Sequence, residues 1–326
     1  MTGPRRVGVV GCGRVFQRYH LPCLRDRPEI AVVAACDTDP ARARTVLGGI
    51  GPAPFVTDDL TAFFDRGRPE AVVVCTPNDA HTEPALATLR RGLPLLCEKP
   101  LAATVEDAER IAEAAAGAGL AMVNTPYRRH ELIAAFQAAL PDGDCAVEVV
   151  FTTPGLRLWR PVTQWYHEPA RAGGGALLDL GMHAVDLLTA LFGPAEPVRC
   201  AIGPGRRGGA GSVEEFVEAE LRVGRGDVRM TIDRSHPSGR LEVTARRPDR
   251  VVTLDLRRGE VRADGAVLAA TTRPRPELAA IEWFLTCLVD GRDEGAATVT
   301  EAARLQRLLS DLYAIADRSA MTGRTA

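Results

Sequence analysis

The chain has 326 residues, 46% of them apolar and 25% charged, with a net charge of −2. That length supports two domains with cores of their own, and arginines scattered among acidic residues exclude the basic footprint of a nucleic-acid binder. No apolar run reads as reaching the ~18 residues of a membrane span. The stretch after Arg6 is too short for a signal peptide and is broken by Gly11, Gly13 and Arg14. The eight cysteines form no CxxC pair, which fits a reducing cytosol.

Up to residue ~125 short apolar runs alternate with helix-like stretches. Strands are expected over 6–10, 30–36, 71–75, 93–97 and 120–123, each a near-continuous run of Val, Ala, Leu and Ile, as for strands buried on both faces. Helices are expected between them over 14–25, 40–47, 57–65, 80–91 and 104–118. Pro40 suits a first helical turn, and Thr57 and Thr104, each followed by acidic residues, read as N-caps. This alternation predicts right-handed βαβ units and a doubly wound parallel sheet.

From residue 126 the rhythm changes. A helix is expected over 129–140, then strands over 145–152, 213–223, 227–233, 240–245, 250–256 and 260–263. Turns such as Gly224-Arg225-Gly226-Asp227 and Ala263-Asp264-Gly265 join them. That pattern predicts an antiparallel sheet in an α+β domain. Residues 203–211 read as a glycine-rich loop, and helices over 277–289 and 300–317 close the chain. No internal repeat is evident.

The first motif is Val7-Gly8-Val9-Val10-Gly11-Cys12-Gly13-Arg14-Val15-Phe16, a strand running into Gly-x-Gly and a helix. Gly11 permits the tight turn, and Gly13 lets the backbone approach a pyrophosphate at the helix N-terminus. Asp37 ends the next strand, where a carboxylate binds ribose hydroxyls and repels a 2′-phosphate, favouring NAD over NADP. The plain alternative is a glycine turn in an ordinary α/β sheet. Phe16 stands where a small residue is usual, so either the helix shifts or the ring points toward the cofactor.

Cys75-Thr76-Pro77-Asn78 and His81 follow a later strand end, where residues line a ligand crevice. Asn78 is placed to meet ribose or nicotinamide, whereas His81 is equally a local structural group. Glu98-Lys99-Pro100 ends the next strand. Thirty-nine of the 40 basic side chains are arginine, and Lys99 is the only lysine. An amine offers proton or carbonyl chemistry that guanidinium cannot, though chance survival in an arginine-rich composition would also leave one lysine.

In Gly173-Gly174-Gly175 through Asp179, His183 and Asp186, a helix would align the last three at i, i+4 and i+7. Their neighbours are apolar, so the helix is buried and its polar stripe needs partners. Two carboxylates with an imidazole suit proton transfer; a structural polar network fits the same residues, while a metal site lacks further ligand spacing. Trp159, Trp165 and Tyr166 precede this helix and suit either a sugar platform or a core plug. Tyr127 and Arg128 open the second domain and could reach a cleft.

Taken together, the Gly11-Cys12-Gly13-Arg14 turn, Cys75-Thr76-Pro77-Asn78 with His81, Glu98-Lys99-Pro100, and the Gly173–His183–Asp186 segment resemble the glucose–fructose oxidoreductase / inositol dehydrogenase (Gfo/Idh/MocA) family. The resemblance spans most of the chain except 199–273. It implies an NAD(P)-binding Rossmann domain over 1–125. Over 126–326 it implies a substrate-binding domain with a large, mostly antiparallel sheet, whose open face serves a homodimer or homotetramer. It implies Lys99, Asp179 and His183 as catalytic residues. Cofactor contacts would come from Gly11, Gly13, Arg14, Val15, Asp37, Thr76, Asn78, His81, Glu98 and Lys99. Substrate contacts would come from Tyr127, Arg128, Trp159, Trp165, Asp179 and His183, with no metal. The expected activity is hydride transfer between nicotinamide, as NAD, and a secondary alcohol or ketone of a sugar, cyclitol or sugar derivative, in the cytoplasm. The alternatives are a retained-cofactor glycoside hydrolase or epimerase of the same family, and a non-catalytic nucleotide- or sugar-sensing regulator. No nucleic-acid or membrane partner is expected.

Overall fold

The structure, a computed structural model, describes residues 3–140, 142–155, 164–203, 213–224, 226–271, 275–292 and 298–317. The chain forms two compact units. One comprises Met1–Asn124, Arg171–Gly173 and Glu277–Arg304; the other comprises Thr125–Ala170, Gly174–Pro276 and Leu305–Ala326.

The first unit holds a six-stranded parallel sheet of β1 (Arg5–Val10), β2 (Ile30–Cys36), β3 (Phe55–Thr57), β4 (Ala71–Val74), β5 (Leu95–Cys97) and β6 (Ala121–Val123). The strand order is β3-β2-β1-β4-β5-β6, which reverses direction between β1 and β4. In such sheets the ligand crevice opens at the carboxyl ends of the strands beside that reversal. Alternate side chains feed two cores. Val7, Val9, Val73 and Leu96 enter one, and Val10, Val72, Val74 and Leu95 the other. Both faces are apolar because both are covered, and each such side chain stabilises the fold by about 1.5–3 kcal/mol.

Helices α1 (Leu21–Arg25), α2 (Pro40–Val46), α3 (Leu60–Gly67), α4 (Thr82–Leu89) and α5 (Val105–Ala114) connect the strands. Asp39 caps α2 ahead of Pro40, and Thr104 caps α5 through the Asp107 amide. Thr57 is not a cap: it closes β3, and Asp59 caps α3 through the Thr61 and Ala62 amides. β3 escapes sequence reading because three half-buried residues make no apolar run. The helix expected over 14–25 is helical throughout, a π-helical stretch at Phe16–His20 running into α1. The Phe16 ring is fully buried and packs into the first unit's core.

The second unit begins with α6 (Leu132–Ala139) and β7 (Ala146–Thr152), followed by α7 (Ala176–Phe192). Strands β8 (Ala195–Gly203), β9 (Phe216–Val223), β10 (Gly226–Asp233), β11 (Arg240–Arg247), β12 (Arg250–Asp255), β13 (Glu260–Ala263), β14 (Ala266–Ala270) and β15 (Ala316–Asp317) complete a nine-stranded sheet with β7. Its order is β14-β13-β12-β11-β7-β10-β9-β8-β15. The pairing is antiparallel except for β7 with β10 and β8 with β15. One face buries Val149, Phe151, Val217, Leu221, Met230 and Ile232 with the apolar sides of α6 and α7. Glu148, Arg222 and Arg229 alternate onto the other face and are exposed, the period-2 pattern that made these strands readable. β8 and β14 are additional to the expected strands. Pro197 and a register shift interrupt β8, and β14 is mostly exposed with no alternation. The expected glycine-rich loop over 203–211 lies outside the described residues apart from Gly203, which ends β8.

Helices α8 (Ala279–Asp290) and α9 (Val299–Ala314) follow. α8 contributes Ile281, Phe284 and Leu285 to the first unit's core. The expected helix over 300–317 ends at Ala314, and Ala316–Asp317 form β15 instead. The run Pro169–Phe192 corrects another sequence expectation: it is long and apolar enough by composition to cross a membrane, yet 78% of its apolar 18-residue stretch is buried inside the fold. Its apolar surface is that of a core helix.

Candidate active site

The strand ends of the first unit carry a glycine turn and several polar groups. After β1, Gly11 adopts φ +89°, and a Cβ there would stand 2.7 Å from the Cys75 carbonyl and the Thr76 nitrogen, so only glycine fits. Beside Gly13 the opposite holds: nothing lies within 4 Å of where a Cβ would be. That open flank, at the start of a helical turn, fits a dinucleotide pyrophosphate. Arg14 next to it is exposed and Val15 half-buried.

After β2, Asp37 is buried and its carboxylate is engaged at both oxygens. Oδ2 accepts the Cys12 amide at 2.7 Å. Oδ1 accepts the Asp39 amide at 2.8 Å and the Arg42 guanidinium. Burial, then the Asp37 charge, push the Cys12 thiol up to about 12, which leaves it unreactive.

After β4, Thr76 donates its hydroxyl to the Ala80 carbonyl, and the Asn78 amide donates to Ala172 at 2.8 Å. His81 is fully buried, with Nδ1 2.9 Å from the Pro100 carbonyl and Nε2 2.9 Å from that of Thr76. Burial lowers its proton affinity against the pull of those carbonyls. His81 thus lies between the Thr76 and Pro100 carbonyls, and its neutral ring can donate to one of them.

After β5 comes Glu98, buried, then half-buried Lys99, joined to Pro100 by a cis bond. Glu98 Oε1 accepts from His20 Nε2 at 2.6 Å and from Asn124 Nδ2 at 2.8 Å. Burial raises the Glu98 carboxyl, but these hydrogen bonds and the nearby Lys99 charge outweigh it and hold Glu98 below the usual carboxylate range. His20 was not among the sequence candidates, because an isolated histidine behind an apolar stretch carries no motif. His20, Cys75 and Glu98 lie within 4.8 Å of one another as a three-donor set. The 2.6 Å His20–Glu98 separation is a hydrogen bond, since two ligands on one tetrahedral ion stand about 3.3 Å apart.

In the second unit, α7 carries the polar stripe. Its N-terminus is held by Glu214 from the segment before β9. The carboxylate accepts from Gly175 N at 3.0 Å on each oxygen and from Leu177 N at 3.0 Å. Tyr313 Oη donates to Glu214 Oε1 at 2.6 Å. Burial, then the Glu214 charge, keep the Tyr313 phenol protonated far above its ordinary range. A Cβ at Gly175 would stand 2.0 Å from the Glu214 carbonyl, so the glycine lets this loop seat on the helix.

Along the stripe, Asp186 is buried and gripped by Arg128 through Nε at 3.0 Å and Nη2 at 2.7 Å. Arg128, expected in a substrate cleft, therefore makes a two-point clamp on the helix. Asp179 is half-buried, with Arg234 Nη1 3.6 Å from its carboxylate. The Arg234 side chain is 2% exposed, and no sequence pattern marked it. His183 lies half-buried between these pairs. Its ring meets Tyr127 edge-on at 5.1 Å and Phe151 at 6.2 Å. Trp165 is buried and stacked on Tyr166 at 3.9 Å. Trp159 lies outside the described residues.

Residues 5–125 match the model of an oxidoreductase family with an NAD-binding Rossmann fold, and residues 146–247 match the GFO/IDH/MocA C-terminal domain. D-glucoside 3-dehydrogenase of Escherichia coli K12 is 29% identical over 194 residues, 59% of this chain and 55% of that protein. The chain spans between about half and two thirds of the length of the first curated relatives it matches. Among solved structures, the 3-ketoreductase KijD10 of Actinomadura kijaniata, with NADP and TDP-benzene, superposes with a TM-score of 0.80 at 22% identity, covering 97% of this chain and 99% of that one. GenD2 from gentamicin A biosynthesis, in complex with NAD, gives 0.79 at 24% identity, covering 99% and 96%. These two share the fold. With both family models matched in order over more than half its residues, this chain belongs to the Gfo/Idh/MocA oxidoreductase family.

Proposed function

We propose that this chain is an NAD(P)-dependent oxidoreductase that moves a hydride between nicotinamide and a secondary alcohol or ketone of a sugar, cyclitol or sugar derivative. The observation that carries the reading is Lys99. The only lysine of the chain follows β5, in the same row of strand ends as the Gly11–Gly13 turn with its open flank. Related proteins named for glucosides, 1,5-anhydrofructose and a dTDP-didehydro-dideoxyglucose support the substrate class.

The Gly11-Cys12-Gly13 turn with Arg14 and Val15 would hold the pyrophosphate, and Asp37 the adenosine ribose. The Asp37 charge supports NAD over NADP, and the Arg42 guanidinium offsets part of it. Thr76, Asn78, His81, Glu98 and Lys99 form the remaining cofactor side. When bound, nicotinamide supplies a two-electron hydride acceptor or donor. Lys99 donates a hydrogen bond to the reacting oxygen and stabilises its developing alkoxide charge. His183 takes or gives the hydroxyl proton. Asp179 holds the substrate or orients His183, with Arg234 3.6 Å from its carboxylate. Tyr127 and Trp165 bound the substrate side. The same reading includes a cytoplasmic location and a homodimer or homotetramer built on the second unit's sheet, whose polar face carries Glu148, Arg222 and Arg229. Light scattering tests that assembly, and a monomer would remove it.

The activity is tested by absorbance of the reduced nicotinamide during incubation with NAD⁺ or NADP⁺ and pooled cyclitols, sugars, glycosides and nucleotide-sugars. One pool should raise the signal. Lys99→Met and His183→Ala should each lose about 10²–10⁴-fold in turnover while binding NADH as the wild type does. Wild-type turnover in both variants would refute the assignment.

A further inference from the structure

Asp37 does not stand free at the end of β2. A carboxylate offers about four lone-pair sites on its two oxygens, and three are taken. The Cys12 amide holds Oδ2 at 2.7 Å; the Asp39 amide, at 2.8 Å, and the Arg42 guanidinium hold Oδ1. The Asp37 amide in turn donates to the Thr57 carbonyl at 3.0 Å. Asp37 therefore ties the glycine turn, the end of β3 and the start of α2 together. It keeps about one acceptor site for a ligand, fewer than the two hydroxyls of an adenosine ribose. Arg42, from the first turn of α2, is in the opposite position. Nη2 faces Asp37 and Nη1 stands 3.6 Å from Asp39. Nε has no hydrogen-bond partner among the described residues, and the side chain is 26% exposed. The guanidinium charge also reaches Cys12, in the middle of the glycine turn, where it opposes that of Asp37.

We propose that Arg42 is the specificity-determining residue at the adenosine end of the cofactor site, and that it lets the chain take NADP(H) beside NAD(H). Resting on the oxidoreductase reading, the choice between the two nucleotides is then a property of one ion pair. A lone carboxylate after β2 rejects a 2′-phosphate by charge. Paired with Arg42, Asp37 presents no net charge to that phosphate, and a guanidinium is the donor best matched to phosphate oxygens. Asp58 and Asp59, whose charges reach Cys36 next to Asp37, oppose the phosphate and keep NADPH from being the preferred form. The fold itself accepts either nucleotide, since KijD10 with NADP and GenD2 with NAD share it. The choice therefore lies in side chains, and Arg42 is the guanidinium that pairs with Asp37 among the described residues.

The test needs no substrate. The whole chain is titrated with NADH and with NADPH, and binding is read from the fluorescence of the nucleotide. The wild type should bind both, NADPH no more than about tenfold more weakly than NADH. Arg42→Met should weaken NADPH at least about tenfold. It should not weaken NADH, because the Asp37 carboxylate is then released to the ribose. Arg42→Lys, which keeps the charge and loses the fork, should recover part of the NADPH affinity. Asp37→Asn keeps an acceptor oxygen for the Cys12 amide and frees Arg42, so it should reverse the order and favour NADPH. The NADH titration of each variant shows that its site is still folded. An Arg42 that merely supports the structure would weaken both nucleotides by the same factor in Arg42→Met, and that result would overturn the proposal. A wild type that binds NADH but rejects NADPH by more than about a hundredfold would overturn it as well, and would leave the oxidoreductase reading standing. A wild type that binds neither nucleotide would refute the oxidoreductase reading, and the proposal would fall with it.

Discussion

Glu214 is the sharpest point at which to test how the second unit sets up its polar helix. Its carboxylate does the work of an N-cap for α7 without belonging to the helix, accepting from Gly175 and Leu177 amides and from the Tyr313 hydroxyl. An ordinary cap contributes about 1 kcal/mol. A charge-assisted bond adds about 1.5–3 kcal/mol, and a buried donor left without its acceptor costs about 1–3 kcal/mol. These contributions share one carboxylate and do not add in full, so Glu214→Ala should destabilise the fold by about 3 kcal/mol. Glu214→Gln keeps one acceptor oxygen and should cost about 1 kcal/mol. For a chain of this size each kcal/mol lowers Tm by about 2–4 °C, so calorimetry should separate the two variants clearly. Tyr313→Phe should cost about 1 kcal/mol in the wild type and clearly less in Glu214→Ala, where its carboxylate acceptor is gone and the Gly175 amide at 3.2 Å remains. If Glu214→Ala melts with the wild type, the cap is not holding the helix. If Tyr313→Phe costs the same in both backgrounds, the two groups are not coupled.

The two glycines of the first turn should separate folding from binding. Gly13→Ala meets no atom within 4 Å, so it should keep the wild-type Tm yet weaken NADH binding at least about tenfold by fluorescence titration. Gly11→Ala collides with the β4 end at φ +89° and should lower Tm outright; equal effects of the two on Tm would contradict this reading. Arg128→Met leaves the Asp186 carboxylate buried without its clamp and should cost about 3–5 kcal/mol in urea unfolding, whereas Arg128→Lys, lacking the two-point fork, should recover only part of it. Acid should act through Glu98. Its folded-state pKa lies below the unfolded value, so its contribution is present above the ordinary carboxylate pKa and is lost as pH falls through the folded value. The fall in Tm below about pH 4.5 should therefore be shallower in Glu98→Gln; an unchanged acid slope would exclude that contribution.

The first unit was legible in the sequence because its strands are buried on both faces. Val72-Val73-Val74 can only be a central strand, and its end locates Thr76 and Asn78. β3 was not legible: Phe55–Thr57 hides no side chain fully, so its identity comes from pairing with β2 and from nothing local. The same division holds for the site. Lys99, Asp179 and His183 stand out because composition or helical spacing isolates them. His20, Glu214 and Arg234 do not, because each acts on a residue far from it in sequence, and spacing carries no information about that partner.

What the structure adds is the charge balance of the stripe on α7. The sequence presents Asp179, His183 and Asp186 as two carboxylates and an imidazole along one helix face. Each carboxylate has its own arginine: Arg128 forks onto Asp186, and Arg234 lies 3.6 Å from Asp179. The two pairs are not equivalent. Asp186 is 2% exposed and held at two points, so it is fixed; Asp179 is 20% exposed, so part of its carboxylate faces solvent, where a hydroxyl can reach it. The asymmetry divides the stripe into an anchor and a working end, with His183 between them. In the proposed reaction, Arg128→Met should therefore act through stability and leave KM almost unchanged, while Asp179→Asn should leave Tm near the wild type and raise KM or lower kcat. The reverse pattern would show that the anchor and the working end had been assigned the wrong way round.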